Sequence, residues 1–312
     1  MGRFSVLSDR GFSGALIFPG PPFAEFADPC RLSNLILASL SFVHPVLFQF
    51  GSLLVPSYGA CAALGVLLAL GLAQITARCA GLNPRHAWNM LVLAVFASMA
   101  VSRLVLIVLN LSDLRRHPMW LTAVSMVHHP LLAAVGIVSG GVAVLGYTRW
   151  MKLPVAAVAD CLAAPVSIGM AAEQLGALLA GSDFGRDSAA NSWLGSITYS
   201  SELAARWSGT PLGVSLYPVQ AYAAAAALLL AAIVLVRLWL PHRTGEVAGI
   251  WLAGAGVLLF LTEIFRDWEG RGVLLGGVAD IPQLVGLGMV LLGGAVLLDW
   301  RTNAAAGKVH DV

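Results

Sequence analysis

Charged side chains are scarce in this 312-residue chain: only 11% of the residues are Asp, Glu, Lys or Arg, while 58% are apolar. Soluble domains carry roughly a quarter charged residues. A water-soluble protein of this length could not cover its surface with so few charges, whereas lipid-facing positions in a bilayer should be apolar. The composition therefore argues against a soluble catalytic domain and indicates an integral membrane protein.

Cysteine is also rare, and its four copies (Cys30, Cys61, Cys79 and Cys161) show neither C-x-x-C spacing nor another metal-ligand pattern. Three of them lie in or beside apolar runs, where we expect small buried thiols rather than a metal centre, and we expect no cofactor. The formal net charge is only +2, and the chain has no basic stripe or aromatic platform, so we expect no nucleic-acid partner.

Long apolar runs are abundant. A transmembrane helix needs about 20 apolar residues, and seven runs meet that length. They are residues 56–77, 89–110, 124–147, 155–181, 218–240, 247–265 and 280–299. Backbone groups in hydrocarbon must bond internally, and continuous runs exclude the ten-residue alternation of a β-barrel. The sequence thus predicts an all-α polytopic membrane protein with about seven transmembrane helices.

Loop basicity predicts the orientation of the chain. The short loops that hold Arg78, Arg149 and Arg243 are denser in Lys and Arg than the alternate loops, so they should be cytoplasmic. The N-terminus is then outside and the C-terminus inside. We expect an extracytoplasmic segment over 1–55, with a short interfacial or re-entrant helix at 33–43, a membrane domain over 56–300 and a cytoplasmic tail over 301–312.

Ionisable residues inside predicted spans are costly, and they indicate a functional site by default. Arg103 lies mid-span in the second helix, and Glu173 lies in the fourth. We expect both to face an internal polar cavity. Further polar candidates are Tyr58, Asp160, Gln174, Tyr217, Gln220, Tyr222 and Glu263.

Three of these groups have a structural alternative. Asp160 follows its predicted helix start by about five residues and could simply contact cytoplasmic water. Glu263 precedes Arg266 by three residues, which places both on one helix face, and they could form a structural pair. The tyrosines could equally be interface anchors. These patterns alone predict a helical bundle with a polar interior and no particular reaction.

Several segments, taken in order, resemble the bacterial prolipoprotein diacylglyceryl transferases, over most of the chain from about His44 to Trp300. They are HPVLFQFGSLLVPSYG with Tyr58, SRLVLIVLN with Arg103, HPMWL, VADCLAAPVSIGMAAEQLGALLAGSDFGR with Asp160, Gly185 and Arg186, YPVQAYAAA, and EIFRDWEG followed by DIPQLVGLGMVLLGG. Seven spans with an external N-terminus is also that family's topology.

The chain departs from the family pattern at reactive positions. The Arg of the family's Arg-x-Gly-Asn falls on Gln174, and the His of its His-Gly-Gly falls on Ser139. The His of its His-Pro element becomes Tyr217, and its sixth-helix Arg falls on Leu259. The motif's Asn falls on Ala177, and its later Asn and Glu fall on Ala180 and Ser182. Neutral side chains cannot replace the charge-assisted phosphate contacts of arginine. The resemblance is therefore to a divergent member.

The resemblance implies the transfer of a diacylglyceryl group from phosphatidylglycerol to a lipobox cysteine of prolipoproteins, in the bacterial plasma (inner) membrane. It leaves Glu173, Tyr217 and Glu263 for proton transfer. Phosphate or lipid binding falls to Tyr58, Arg103, Ser139, Gln174, Gly185, Arg186 and Arg266, and structural roles fall to Asp160, Gln220 and Tyr222. The expected partners are phospholipid and prolipoprotein signal peptides. The alternative is a non-catalytic paralogue that binds lipid or lipoprotein.

Overall fold

The described residues form a bundle of helices with short antiparallel strand pairs. The structure is a computed structural model, and it describes residues 44–50, 53–111, 130–188, 194–267, 273–274 and 279–309. In chain order the helices are α1 Ser57–Cys79, α2 Pro84–Leu109, α3 Pro130–Trp150, α4 Val155–Ala180, α5 Glu202–Ser208, α6 Val219–Trp239, α7 Glu246–Glu263 and α8 Ile281–Val309.

Seven of these helices, all but α5, are long and apolar enough to cross a membrane. Their bounds lie within a few residues of most of the runs predicted from hydropathy. The third run was predicted to begin at residue 124, and 124–129 lie outside the described residues, as does the helix predicted at 33–43. The last spanning helix, α8, continues past the predicted boundary at 300 to Val309. Three consecutive alanines favour helix there after the apolar stretch has ended.

Three strand pairs occur in the connections. β1 (Val46–Phe50) pairs with β2 (Leu53–Pro56), β3 (Ile197–Thr198) with β4 (Ser215–Leu216), and β5 (Val273–Leu274) with β6 (Ala279–Asp280). The first hairpin leads directly into α1, where the Ser57 hydroxyl donates a hydrogen bond to the His44 carbonyl. The hairpin is thus tied to the start of the first spanning helix.

α4 is the central helix. Within its apolar stretch 56% of the residues are buried, against 6% in α2. α4 packs against α1 and α6 and also contacts α7, while α8 packs on α7 and α3 packs on α2. Small residues bring α1 and α4 together, since a Cβ on Gly65 would lie 2.6 Å from the Cβ of Ala172. Polar groups on α4 therefore meet groups from several helices.

The N-terminal half and the C-terminus of α4 have different environments. Its N-terminal half joins a buried cluster that includes Ala77 of α1, Tyr147 of α3 and Cys161. At its C-terminus Gly181 adopts φ +80° and its N–H bonds to the Ala177 carbonyl, a helix end that suits glycine. Asp183 also has a positive φ, of 54°, which Asp tolerates better than most residues. The chain therefore turns sharply where α4 ends.

Candidate functional site

Tyr58, Glu173 and Gln174 form a hydrogen-bonded group between α1 and α4. The Tyr58 hydroxyl donates to Glu173 Oε1 at 3.1 Å, and Gln174 Nε2 donates to Glu173 Oε2 at 2.7 Å. Gly176 permits this approach, because a Cβ there would lie 3.2 Å from the Tyr58 backbone. Both carboxylate oxygens of Glu173 thus have a neutral donor.

Arg266 lies just beyond α7 and bridges two carboxylates. Its Nε lies 2.9 Å from Glu263 Oε1, and its NH1 lies 3.4 Å from Asp183 Oδ1. Arg266 is 7% exposed and Glu263 is 4% exposed. The predicted proximity of Glu263 and Arg266 is therefore present, and the pair is buried. Arg266 Nε has no hydrogen-bond partner among the described residues. Its contact with Glu263 Oε1 is therefore an ion pair and not a hydrogen bond.

These two groups form one electrostatic cluster. Glu173 experiences the charges of Asp183 and Arg266, and the Tyr58 hydroxyl experiences those of Glu173, Asp183 and Arg103. Arg103 is half-buried and lies in the last two turns of α2, nearer to the helix end than the mid-span position inferred from sequence. The start of α1 thus meets the ends of α2, α4 and α7. We call Tyr58, Arg103, Glu173, Gln174, Asp183, Glu263 and Arg266 the polar cluster.

A crossing of three backbone segments holds Arg266 in place. Arg186 N donates to the Phe265 carbonyl at 2.9 Å, and Tyr217 N donates to the Arg186 carbonyl at 3.1 Å. At this crossing the backbones of Gly185 and Arg266 form an isolated antiparallel β-bridge. A Cβ on Gly185 would collide with the Tyr217 carbonyl and lie 2.7 Å from Val219 Cγ2. Only glycine therefore fits where the three segments meet.

The Phe265 ring contacts the rings of both Tyr217 and Tyr222. The Tyr217 ring meets it edge-on at 5.6 Å between centroids, and the Tyr222 ring does so at 6.1 Å. The exposed Arg186 guanidinium lies 5.9 Å from the same ring centroid, a cation–π distance. The Tyr222 hydroxyl donates to the Leu194 carbonyl. Tyr217 and Arg186 thus lie at the rim of the site, beside the crossing.

Gln220 and Tyr199 support the segment that follows α4. Gln220 is fully buried, and its Nε2 donates to the Ser182 carbonyl at 2.7 Å and to the Tyr199 hydroxyl at 3.4 Å. Tyr199 donates in turn to the Leu178 carbonyl at 3.3 Å. Burial raises the pKa of Tyr199 to about 12, because the phenolate would lose its hydration. These contacts hold the segment after α4 in place, and the structural role of Gln220 stays a prediction.

Asp160 and Ser139 lie apart from the polar cluster. Asp160 Oδ2 accepts from Gly245 N at 2.6 Å and Oδ1 accepts from Ala248 N at 2.7 Å. At 1% exposure it caps α7, so the alternative that it simply contacts cytoplasmic water is wrong. Ser139 is half-buried on α3, and its hydroxyl donates at 3.0 Å to the Gly136 carbonyl of its own helix.

Asp183 is a member of the cluster that the sequence analysis did not select. Its carboxylate Oδ1 lies 3.4 Å from Arg266 NH1. The sequence did contain a signal for Asp183. A Glu of the family motif falls on Ser182, and Asp183 directly follows it. The chain therefore still has a carboxylate at the turn after α4, one residue later than the family motif has it.

The cluster offers the functional groups that phosphoryl-ester chemistry needs. Two guanidinium groups can contact a phosphate, and carboxylates and phenols can accept or donate a proton. The family model described as prolipoprotein diacylglyceryl transferase matches residues 45–299 of the chain. The chain belongs to the prolipoprotein diacylglyceryl transferase family. The sequence resemblance from His44 to Trp300 is thereby confirmed.

Individual relatives in the prolipoprotein diacylglyceryl transferase family are similar over most of their length. The protein of Clostridium tetani is 23% identical over 251 residues, covering 80% of this chain and 95% of the relative. That of Vibrio cholerae is 29% identical over 262 residues (80% and 89%), and that of Aliivibrio salmonicida is 29% identical over 278 residues (84% and 89%). All three are named phosphatidylglycerol–prolipoprotein diacylglyceryl transferase.

Proposed function

We propose that this chain transfers a diacylglyceryl group from phosphatidylglycerol to the lipobox cysteine of prolipoproteins, in the inner membrane of a bacterium. Family membership and the names of the relatives support the reaction class. The observation that carries the proposal is the polar cluster, in which a buried Arg266 and a nearby Arg103 accompany carboxylates between membrane-spanning helices. Buried ionisable groups are costly, and a cluster of them commonly marks a functional site.

In this reaction one bond to the glycerol carbon forms and another breaks. The cysteine sulfur attacks the glycerol carbon that bears the phosphate, the carbon–oxygen bond breaks, and glycerol phosphate leaves. The thiolate is the nucleophile, so the thiol proton must be removed, and it ends on the departing phosphate. Fixed cations stabilise the charge that develops on the leaving group.

We assign the roles by position in the cluster. Arg266 and Arg103 contact the leaving phosphate, and Arg186 at the exposed rim contacts the incoming lipid. Glu173, which bonds Tyr58, and either Glu263 beside Arg266 or Tyr217 beside Phe265 handle the proton. A carboxylate that takes up the thiol proton becomes neutral, and the guanidinium beside it is then free to balance the negative charge of the leaving phosphate.

Complementation of a bacterium depleted of its own transferase tests the proposal. We expect the wild-type chain to restore lipoprotein modification, measured by gel mobility and mass, and Arg103→Ala to abolish it at equal membrane abundance. Arg85→Ala is the matched control, because Arg85 is exposed at the opposite end of the same helix. Equal rescue by Arg103→Ala and Arg85→Ala would contradict the assignment of Arg103.

A second function, lipid or lipoprotein binding without catalysis, is favoured by one observation. Gln174 stands where the family pattern has arginine, and its amide is engaged with Glu173 rather than supplying a cation. A binding paralogue would fail to rescue the depleted strain while still co-purifying with phospholipid or prolipoprotein. Rescue by the wild-type chain rejects this second function.

A further inference from the structure

The polar cluster carries more negative than positive groups. Its ionisable members are three carboxylates (Glu173, Asp183 and Glu263) and two guanidinium groups (Arg103 and Arg266). Among the residues that the structure describes, the exposed or half-buried rim adds Arg186 together with Asp187 and Asp267. Carboxylates that outnumber the guanidinium groups of the cluster favour a ligand that brings a cation.

Within the described part of the chain Glu173 has no ion pair of its own, and the Arg266 charge that acts on it is shared with two other carboxylates. Its two hydrogen-bond partners, Tyr58 and Gln174, are both neutral, whereas Glu263 and Asp183 share the Arg266 guanidinium. A desolvated carboxylate without an ion-pair partner is costly, and a bound cation would remove that cost. The unmatched charge therefore lies between α1 and α4, at Glu173.

Gln174 supplies an independent sign of a missing donor at the same place. Its Nε2 is bonded to Glu173, but its Oε1 is buried and has no hydrogen-bond partner among the described residues. A buried acceptor without a donor costs about 1–3 kcal/mol. A ligand N–H that meets Oε1 while its charge meets the Glu173 carboxylate satisfies both groups at once.

We propose that the site accepts phosphatidylethanolamine as a diacylglyceryl donor and uses it faster than phosphatidylglycerol, with the ethanolamine ammonium bound by Glu173 and Gln174 Oε1. This inference rests on the proposed transferase function. Both lipids carry one phosphate charge, so the guanidinium groups serve either. Only the ethanolamine lipid adds a cation, and its three N–H donors match a carboxylate and an amide oxygen.

The reaction balances with this donor. The cysteine sulfur forms a bond to the glycerol carbon, and the bond from that carbon to the phosphate oxygen breaks. The thiol proton passes to the departing phosphate, which leaves as phosphoethanolamine. Nothing is oxidised or reduced, and the ammonium is unchanged. The step differs from transfer out of phosphatidylglycerol only in the leaving group.

The test compares the two lipids with identical acyl chains. Purified full-length protein in detergent micelles receives a lipobox peptide and one lipid, and the lipidated peptide is followed by mass spectrometry. We expect transfer from phosphatidylethanolamine to be about tenfold faster, the ratio expected for one charge-assisted contact. Phosphoethanolamine should appear in step with the lipidated peptide.

A variant at the proposed ammonium site sharpens the test. Gln174→Arg places a fixed cation there and should reverse the preference towards phosphatidylglycerol. Gln74→Arg is the control, since it adds the same side chain to α1 outside the cluster and should leave the preference unchanged. Thermal unfolding of each variant checks that it is folded.

The outcomes separate the two proposals. Transfer that is equal or faster from phosphatidylglycerol overturns the donor inference and leaves the transferase function standing. No transfer from either lipid by folded wild-type protein overturns the transferase function, and the donor inference falls with it. A preference for phosphatidylethanolamine that Gln174→Arg does not alter, although this variant folds and is active, overturns the placement of the ammonium.

Discussion

Arg266 is the residue whose removal should cost most, because two carboxylates depend on its charge. In Arg266→Ala, Glu263 remains buried without a counter-ion. We expect the free energy of unfolding to fall by about 3–5 kcal/mol, the usual cost of breaking a buried pair, and transfer activity to be lost. Thermal or denaturant unfolding in detergent measures the first effect.

The Arg237–Glu246 pair gives the matched comparison. Its nitrogen and oxygen lie 2.6 Å apart, but the Arg237 side chain is 27% exposed, so Arg237→Ala should cost only about 1 kcal/mol. Adding Glu263→Gln to Arg266→Ala should recover part of the lost stability, because no buried carboxylate then lacks its partner at that point. Equal losses for Arg237→Ala and Arg266→Ala would contradict the argument from burial.

Tyr199 should make the folded state sensitive to alkaline pH. Its pKa is about 12 in the folded chain and near 10.0 when unperturbed. The unfolded chain therefore releases this proton first as pH rises, and stability is lost between about pH 10 and pH 12. Unfolding measured across that range should show a smaller loss for Tyr199→Phe than for the wild type. Parallel curves would mean that Tyr199 titrates alike in both states.

At the residue scale, spacing predicts local partners and misses distant ones. Glu263 and Arg266 are three residues apart, so helical periodicity predicted their proximity, and they remain in contact although α7 ends at Glu263. The contact between Arg266 and Asp183 joins positions on different elements, and no short-range pattern encodes it. The partners of Asp160 are backbone N–H groups, which every non-proline residue carries and which the sequence therefore cannot single out.

The start of α7 is an element whose stability depends on another helix. Asp160 of α4 accepts two hydrogen bonds from the first turn of α7, which a negative charge further favours at a helix N-terminus. We expect Asp160→Ala to lower the free energy of unfolding by about 2 kcal/mol and Asp160→Asn to lower it less. The activity of the folded fraction should persist, because Asp160 lies outside the polar cluster.

The α7–α8 contact tests how closely two helices must approach. A Cβ on Gly256 would collide with the Gly286 carbonyl, whereas nothing lies within 4 Å of a Cβ on Gly288. Gly256→Ala should therefore destabilise the protein by about 1–3 kcal/mol, while Gly288→Ala should be neutral or slightly stabilising. Unfolding of the two variants under one condition measures the difference. Similar losses for both would show that helix propensity, not packing, is decisive.

At the element scale, hydropathy predicted the spans because burial in lipid acts on every residue of a run. The ends were less predictable. The extension of α8 to Val309 depends on helix propensity after the apolar stretch has stopped. The strand pairs that join the connections were not predicted at all, because their register depends on which loops the packed helices bring together.

For the whole molecule, the seven spanning helices of the described residues place the start of α1 and the end of α8 on opposite sides of the membrane. The loop charges predict an external N-terminus, so the C-terminal end of α1 should face the cytoplasm. Cys79 is exposed at that end. In a Cys30→Ser background, a membrane-impermeant maleimide should label Cys79 only after spheroplasts are opened. Cys79→Ser should abolish the signal, and labelling of intact spheroplasts would mean that the orientation is inverted.

The crossing of segments near Gly185, Tyr217 and Phe265 has a consequence for biosynthesis. The ribosome delivers Tyr58 and Glu173 early, and they can pair as soon as α4 packs on α1. Arg266 leaves the ribosome only after α6 and α7, and its position depends on hydrogen bonds to segments made much earlier. A chain halted after α6 therefore inserts with Glu173 and Asp183 but without Glu263 and this guanidinium, so that lipid chemistry begins only once synthesis has passed the end of the sixth span.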